Sequence, residues 1–331
     1  MVKLLWCGRM RLGAAPEPST RGDSERSSSI NWISGDQPLG LGEKGLYCAL
    51  NVAHNLIPPG RARRELGVES FRVPARELSA LVEAADSKDG PARALSDCFL
   101  RRQDWPSIRG RLGELHVVDA GCGDGGYARK LFASAGGALK SYLGFDANEH
   151  RNWSGLRGPG IDFVKASAEG FSAQIPPDTN FFFSHSALEH FREDLGFLAG
   201  IRDFIAQRER PTLQIHVVPA PAGLALYCFH GYRQYPRHAL LKIRNLFSET
   251  GSDVRVYSLG GYRSVSLHFR RITLPTLRGR GSEAGSPNCE SELREVLAND
   301  LSEPAGPAAY YAIVIESPSP GGSRFPRSPL P

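Results

Sequence analysis

Apolar and polar positions alternate with two different periods along the central part of the chain. Leu115–Asp119, Ser141–Asp146, Ile161–Ala166, Asn180–Ser184 and Thr212–Val218 are short apolar runs that read as strands. The fourth is apolar on both faces, as a central strand must be. Between them the period lengthens. Gly125–Ala135 carries Tyr127, Leu131 and Phe132 on one helical face, and Ala187–Gln207 carries a stripe of Leu188, Phe191, Leu195, Leu198, Ile201 and Ile205. Upstream, residues 75–86 and 92–112 predict amphipathic helices, the second interrupted at Pro106. Tyr47–Leu56 predicts a short helix ended by Pro58-Pro59-Gly60. Downstream, an irregular segment 220–237 leads to a helix at Arg237–Thr250 closed by Gly251, then strands at Asp253–Leu259 and Tyr310–Ile315. Strands alternating with helices at this spacing give an α/β fold with a parallel sheet and right-handed crossovers.

The pattern also sets boundaries. Residues 14–30 hold Pro, Ser, Gly and charge with almost no large apolar side chain, so residues 1–30 are expected to be disordered. Residues 31–91 form an N-terminal extension and 92–316 the main domain. Residues 275–308, rich in Gly, Pro, Ser and Glu, read as a flexible insertion with one short helix at Glu292–Leu297; residues 317–331 read as a disordered tail.

Composition narrows the classes. The 331 residues carry a net charge of +5, much of it scattered Arg, which suits a solvated surface better than a nucleic-acid stripe. No apolar run approaches the roughly 18 residues of a membrane helix, and the apolar stretch within Met1–Gly13 is too short for an export signal, so a cytoplasmic protein is expected. The six cysteines include no CxxC pair and no zinc-like Cys/His spacing; reduced thiols and no metal are expected.

The candidate chemistry begins where the first strand runs into Asp119-Ala120-Gly121-Cys122-Gly123-Asp124-Gly125. Glycines permit left-handed backbone and close approach of a ligand, and the following helix points free N–H groups at it. Gly121, Gly123 and Gly126 also satisfy the dinucleotide fingerprint G-x-G-x-x-G, and Asp146 could bond ribose hydroxyls in either case. Asp119 and Asp124 separate the readings: they would repel a pyrophosphate and attract a ligand carrying an ammonium and a sulfonium.

The Asp119–Gly125 loop closely resembles the first motif of class I S-adenosylmethionine (SAM)-dependent methyltransferases. Ser184-His185-Ser186-Ala187-Leu188-Glu189-His190 resembles that family's fourth motif, and the two stand in the family's order. The resemblance covers roughly residues 92–260 and the last strand. It implies a Rossmann-like, mostly parallel seven-stranded sheet flanked by helices, with an N-terminal helical extension outside it. It also implies SAM as cofactor. Gly121, Cys122, Gly123 and Gly125 would pack on its amino-acid part, Asp119 would orient the ammonium through the loop, and Asp146 with Ala147 would take the ribose. Ser167, Ala168 and Glu169 would cradle the adenine, Ser167 standing where many relatives carry Asp. Ser184, His185 and Ser186 would line the cofactor near the sulfonium.

Methyl transfer mainly needs alignment, and a hydroxyl acceptor also needs a base. His185 is a candidate base, or else packs against the ribose or the next helix. Tyr227–Pro236 resembles a His-Gly-x-Arg-x-Tyr stretch of methyltransferases from bacterial polysaccharide and secondary-metabolite clusters. There His230 is a second candidate base, with Tyr232, Arg233 and Tyr235 as substrate contacts; the plain alternative is a structural lid of buried aromatics. His216 reads as a satisfied core group. The leading expectation is O-methylation of a small molecule or glycan, against a non-catalytic SAM-binding scaffold or an NAD-dependent oxidoreductase.

Overall fold

The computed structural model describes residues 27–31, 33, 39–85, 90–208, 210–227 and 233–319. Its helices are α1 (Leu41–Leu56), α2 (Gly60–Glu65), α3 (Ala75–Ala84), α4 (Pro91–Arg101), α5 (Trp105–Leu112), α6 (Gly126–Ala135), α7 (Trp153–Leu156), α8 (Asp194–Ala206), α9 (Gly223–Tyr227), α10 (Arg237–Ser248), α11 (Tyr262–His268), α12 (Leu274–Leu277) and α13 (Pro287–Ser302). Its strands are β1 (Glu69–Ser70), β2 (Leu115–Ala120), β3 (Leu139–Asp146), β4 (Ile161–Lys165), β5 (Phe181–His185), β6 (Thr212–Pro219), β7 (Asp253–Leu259) and β8 (Tyr310–Ser317).

All strands join one eight-stranded sheet in the order β1-β7-β8-β6-β5-β2-β3-β4. The expected count of seven is corrected by β1, a two-residue strand in the extension that pairs in parallel with β7 through Glu69–Tyr257 and Ser70–Ser258. Its sequence, Glu-Ser, carries no apolar alternation to betray it. β8 runs antiparallel between β6 and β7, so the sheet departs from the all-parallel order of the dinucleotide-binding fold. The strand order reverses between β2 and β5. In open α/β sheets that switch point opens a crevice at the carboxyl ends of the strands.

Phe181, Phe182 and Phe183 of β5 are at most 1% exposed and alternate between the two layers beside the sheet. Each such ring contributes about 1.5–3 kcal/mol by burial. One layer is made with α3, α4, α5, α6, α11 and α13, the other with α8 and α10. Asn180, at the amino end of β5, accepts from His116 N and donates to the carbonyls of Leu112 and Glu114, which ties β5 to the start of β2.

Several expectations change. The long helix from Ala187 is split: a single tight turn at Leu188–His190 precedes α8, which starts at Asp194. The apolar stripe continues across the break, so periodicity alone did not reveal it. Residues 287–302 are not a flexible insertion. Pro287 opens α13, Ser286 caps it by accepting from Cys289 N, and Leu293, Leu297 and Leu301 are buried in the core. Ser27, Ser28 and Ser29, expected to be disordered, are buried; Ser28 donates both N–H and Oγ–H to Asp194 at 2.7 and 2.6 Å. Residues 1–26 and 320–331 lie outside the described residues. Phe71 N donates to Ser258 O and Val73 N to Leu301 O, so the extension is stitched to β7 and α13. Among the described residues, no helix is long and apolar enough to cross a membrane and no cluster of three or more His, Cys, Asp or Glu could hold a metal ion.

Candidate functional site

The loop leaving β2 sits at the switch point and its glycines have distinct duties. Gly121, Gly123 and Gly125 have φ of +69°, +54° and +84°, a region that side-chain-bearing residues rarely adopt. A Cβ on Gly121 would lie 2.5 Å from Ala187 Cβ, and one on Gly125 would lie 2.7 Å from the Phe163 ring. These two glycines let the loop press against the turn after β5 and against β4. A Cβ on Gly123 would meet nothing within 4 Å. Gly123 therefore gives the loop its open face. Gly121 N and Cys122 N both donate to Phe145 O, Gly123 N donates to Asp146 Oδ2 at 3.0 Å, and Trp153 Nε1 donates to Gly123 O at 2.8 Å. The loop is thus held from β3 and α7 before any ligand arrives.

Its surroundings are acidic. Asp119 is 2% exposed beneath the loop and accepts from the Tyr142 hydroxyl at 2.5 Å. Burial raises its pKa to about 7, against the lowering effect of the Tyr142 bond, and Asp146 adds to the rise. Burial, then the charges of Asp119 and Asp146, push the Cys122 thiol far up, so it is a protonated packing group. His150 Nε2 lies 3.6 Å from Asp146 Oδ1. Asp146 is half-buried at the end of β3, and its Oδ1 also accepts from Asn148 N. Ala147, Ser167 and Glu169 are exposed and Ala168 is half-buried, at the carboxyl ends of β3 and β4 beside the loop. The Ser167 hydroxyl accepts from Gly170 N at 3.3 Å, so it shapes its own turn.

The turn after β5 lies against the glycine loop. Ser186 adopts φ +50°, the one left-handed non-glycine among the described residues, and is half-buried. Such strain persists where surrounding structure holds it, and it clusters at ligand sites. Ser186 N donates to Val217 O and the neighbouring Ala187 packs on Gly121, so the two motif loops are in contact. Ser184 is corrected: it is fully buried in the opposite direction, with Oγ 2.8 Å from His216 Nδ1. His216 in turn lies 3.2 Å from Gln214 Oε1 and is held neutral by burial, its pKa lowered to about 3, the core group the sequence suggested. His185 is also corrected as a base. Its ring stacks on Tyr127 at 4.6 Å and near Tyr310 at 6.2 Å, and Nε2 meets Ser96 Oγ at 3.0 Å. Burial, then Arg93 and Lys130, lower its pKa to about 3. A neutral ring of that basicity holds helix α4 to β5 and takes up no proton near neutral pH.

Arg233 and Tyr235 are buried. Arg233 is 1% exposed; its Nη1 donates to Asp194 Oδ1 at 3.1 Å and to Ser27 Oγ at 2.5 Å. The Tyr235 hydroxyl donates to Asp194 Oδ2 at 2.8 Å. Asp194, buried and bonded on both oxygens, is the hub of this cluster, and in the sequence it stands unmarked between Phe191 and Leu195 of the apolar stripe. His230 and Tyr232 lie outside the described residues. A recess of about 640 Å³ opens at the opposite, amino ends of β2, β3 and β4. Its polar groups are already paired, His116 with Ser141 and Asp178, Arg157 with Asp162.

No family model matches the chain, and no curated protein does. Solved structures of similar fold include the plantazolicin methyltransferase BamL in complex with a triazolic desmethylPZN analog and SAH. It is 15% identical over 83% of this chain and 97% of that one, with a TM-score of 0.44. A SAM-dependent methyltransferase from Archaeoglobus fulgidus is 19% identical over 67% and 93%, TM-score 0.39. One from Mesorhizobium loti is 15% identical over 64% and 97%, TM-score 0.41.

Proposed function

We propose that the chain is a SAM-dependent methyltransferase that moves a methyl group to the hydroxyl oxygen of a small molecule or glycan. One observation carries the reading: a glycine loop at the sheet's switch point, with its open face at Gly123, is flanked by the carboxylates of Asp124 and Asp146. A pyrophosphate placed there would meet like charge. A ligand bearing an ammonium and a sulfonium would meet opposite charge, and Asp146 at the end of β3 suits a ribose diol.

The residues present fit the cofactor. The open face of Gly123 and the α6 N-terminus would hold its amino-acid part, Asp146 and Ala147 the ribose, and Ser167, Ala168 and Glu169 the adenine. Bound there, SAM supplies an electrophilic methyl group on a good leaving group. The protein's part is to align the acceptor, to exclude water and to keep the mouth of the loop anionic. Asp119 acts beneath the loop, not on the ligand directly. Residues 92–316 form the transferring unit, and the extension closes over it.

The test is thermal unfolding with added ligand. Saturating S-adenosylhomocysteine should raise the midpoint, since a ligand at 100 times its Kd adds about 2.7 kcal/mol to the folded state. NAD should not. A rise with NAD and none with S-adenosylhomocysteine overturns the reading.

A further inference from the structure

Helix α1 is packed inside out. Tyr47, Asn51 and His54, at helical spacing i, i+4 and i+7, face the interior, with Asn51 2% and His54 0% exposed. Leu46, Val52 and Leu56 point outward and are 55%, 41% and 74% exposed. Apolar burial therefore does not account for how this helix sits. Inward-facing polar groups are costly unless they meet partners. Here they are left over. His54 Nδ1 meets His238 Nε2 of α10 at 3.2 Å, and Asn55 Nδ2 donates to Gln234 Oε1 at 2.7 Å. Yet Asn51 Oδ1, His54 Nε2, Asn55 Oδ1 and His238 Nδ1 are all buried without a hydrogen-bond partner. The leftover atoms of three residues within one turn of α1, and of one residue on α10, thus lie about the seam where His54 meets His238.

The seam lies at the right end of the sheet. Residues 233–238 begin where Tyr235 N donates to Pro219 O, at the carboxyl end of β6, the same end as the Gly121–Gly125 loop and Ser186. The groups facing it are amides and imidazoles. Burial lowers the pKa of His54 to about 4 and also lowers that of His238, with Lys242 contributing to both, so both rings are neutral. The nearby charges are engaged elsewhere: Arg233 pairs with Asp194, and Lys242 Nζ donates to Ser28 O at 3.3 Å. The Asn51 and Asn55 amides already donate, to Tyr47 O and to Asn51 O and Gln234 Oε1, so their two oxygens are left as acceptors; the two remaining imidazole nitrogens add one donor and one acceptor, a set that suits a ligand rich in hydroxyl donors.

We infer that Asn51, His54 and Asn55 of α1, with His238 of α10, form the acceptor subsite and that its ligand is an uncharged polyhydroxylated molecule of the glycoside class. This rests on the methyltransferase reading. The extension is thereby the part of the chain that selects the acceptor, and the imidazoles are positioning groups for the hydroxyl to be methylated.

The experiment is an NMR titration of the full chain with labelled histidines, read at the imidazole nitrogens of His54 and His238. S-adenosylhomocysteine is added first, then methyl α-glucoside, methyl α-mannoside or methyl α-rhamnoside, with methyl glucuronide and methyl glucosaminide as charged counterparts. At least one neutral glycoside should shift both histidines saturably. Asn51→Leu should weaken that binding at least tenfold while leaving S-adenosylhomocysteine affinity within twofold. No response of either histidine to any glycoside, or a response confined to the charged ones, overturns the proposal. Failure of the unmodified chain to bind S-adenosylhomocysteine instead overturns the methyltransferase reading. If Asn51→Leu does not fold, the histidine shifts in the unmodified chain still decide the matter.

Discussion

Alanine at Gly121 and at Gly123 should do different damage, although both glycines stand two residues apart in one loop. Both have left-handed backbone, φ +69° and +54°. A non-glycine residue there costs about 1–3 kcal/mol. At Gly121 the new Cβ also lies 2.5 Å from Ala187 Cβ, a contact neither partner can relieve without moving backbone. Overpacking of that kind adds about 1–3 kcal/mol. Gly121→Ala should therefore lose about 2–6 kcal/mol, a large part of a typical stability of about 5–15 kcal/mol. At Gly123 a Cβ meets nothing within 4 Å, so only the backbone cost applies. Its effect should fall on the ligand, because the methyl group projects from the loop's open face. Urea unfolding of the two variants, paired with titration of S-adenosylhomocysteine, separates the terms. Gly123→Ala should fold with a modest loss and bind at least tenfold more weakly. Ligand affinity equal to that of the unmodified chain in Gly123→Ala, or equal stability of the two variants, would refute the division of labour.

Other outcomes follow from the same geometry. Asp119 has a folded pKa of about 7 against an ordinary 3.8, so the unfolded chain ionises first as pH rises. The stability it confers is complete below about pH 4 and is lost progressively toward pH 7. Urea unfolding across that range should show a decline that Asp119→Asn flattens, and equal slopes would contradict it. His185, with its pKa near 3, should show no imidazole titration by NMR between pH 5.5 and pH 8; a midpoint inside that window would restore it as a base. Leu297→Ala in α13, 1% exposed, should cost about 2–5 kcal/mol, whereas a loss under 1 kcal/mol would mean that residues 287–302 are dispensable. Arg233→Met should cost about 3–5 kcal/mol by leaving Asp194 buried without its partner, and a neutral result would remove that cluster from the framework.

The central sheet was legible because its signals are local. The Phe181–Phe183 run, the period change at Leu115 and the glycine spacing each depend on a few neighbouring residues. The loop was legible for the same reason, down to the acid at Asp146. What escaped depends on distant partners. Nothing around Ser28 or Asp194 announces that they meet across 166 positions. Ser184 and His185 point to opposite layers because successive strand residues alternate, and the motif resemblance could not say which face each would take. α13 could have been found from the spacing of Leu293, Leu297 and Leu301 behind the Ser286-Pro287 start, a signal hidden by the Gly- and Pro-rich stretch before it. Periodicity marked α1 as a helix but assigned it no inward face, and its polar Asn51 and His54 are the side chains that turn inward.

The most direct test of the central claim is calorimetric titration of the full chain with S-adenosylhomocysteine and, in parallel, with NAD. Micromolar binding of S-adenosylhomocysteine, lost in Asp146→Ala, with no heat from NAD, is the predicted result. Binding of NAD, or S-adenosylhomocysteine affinity unaffected by Asp146→Ala, would contradict the account of the loop and the roles built on it.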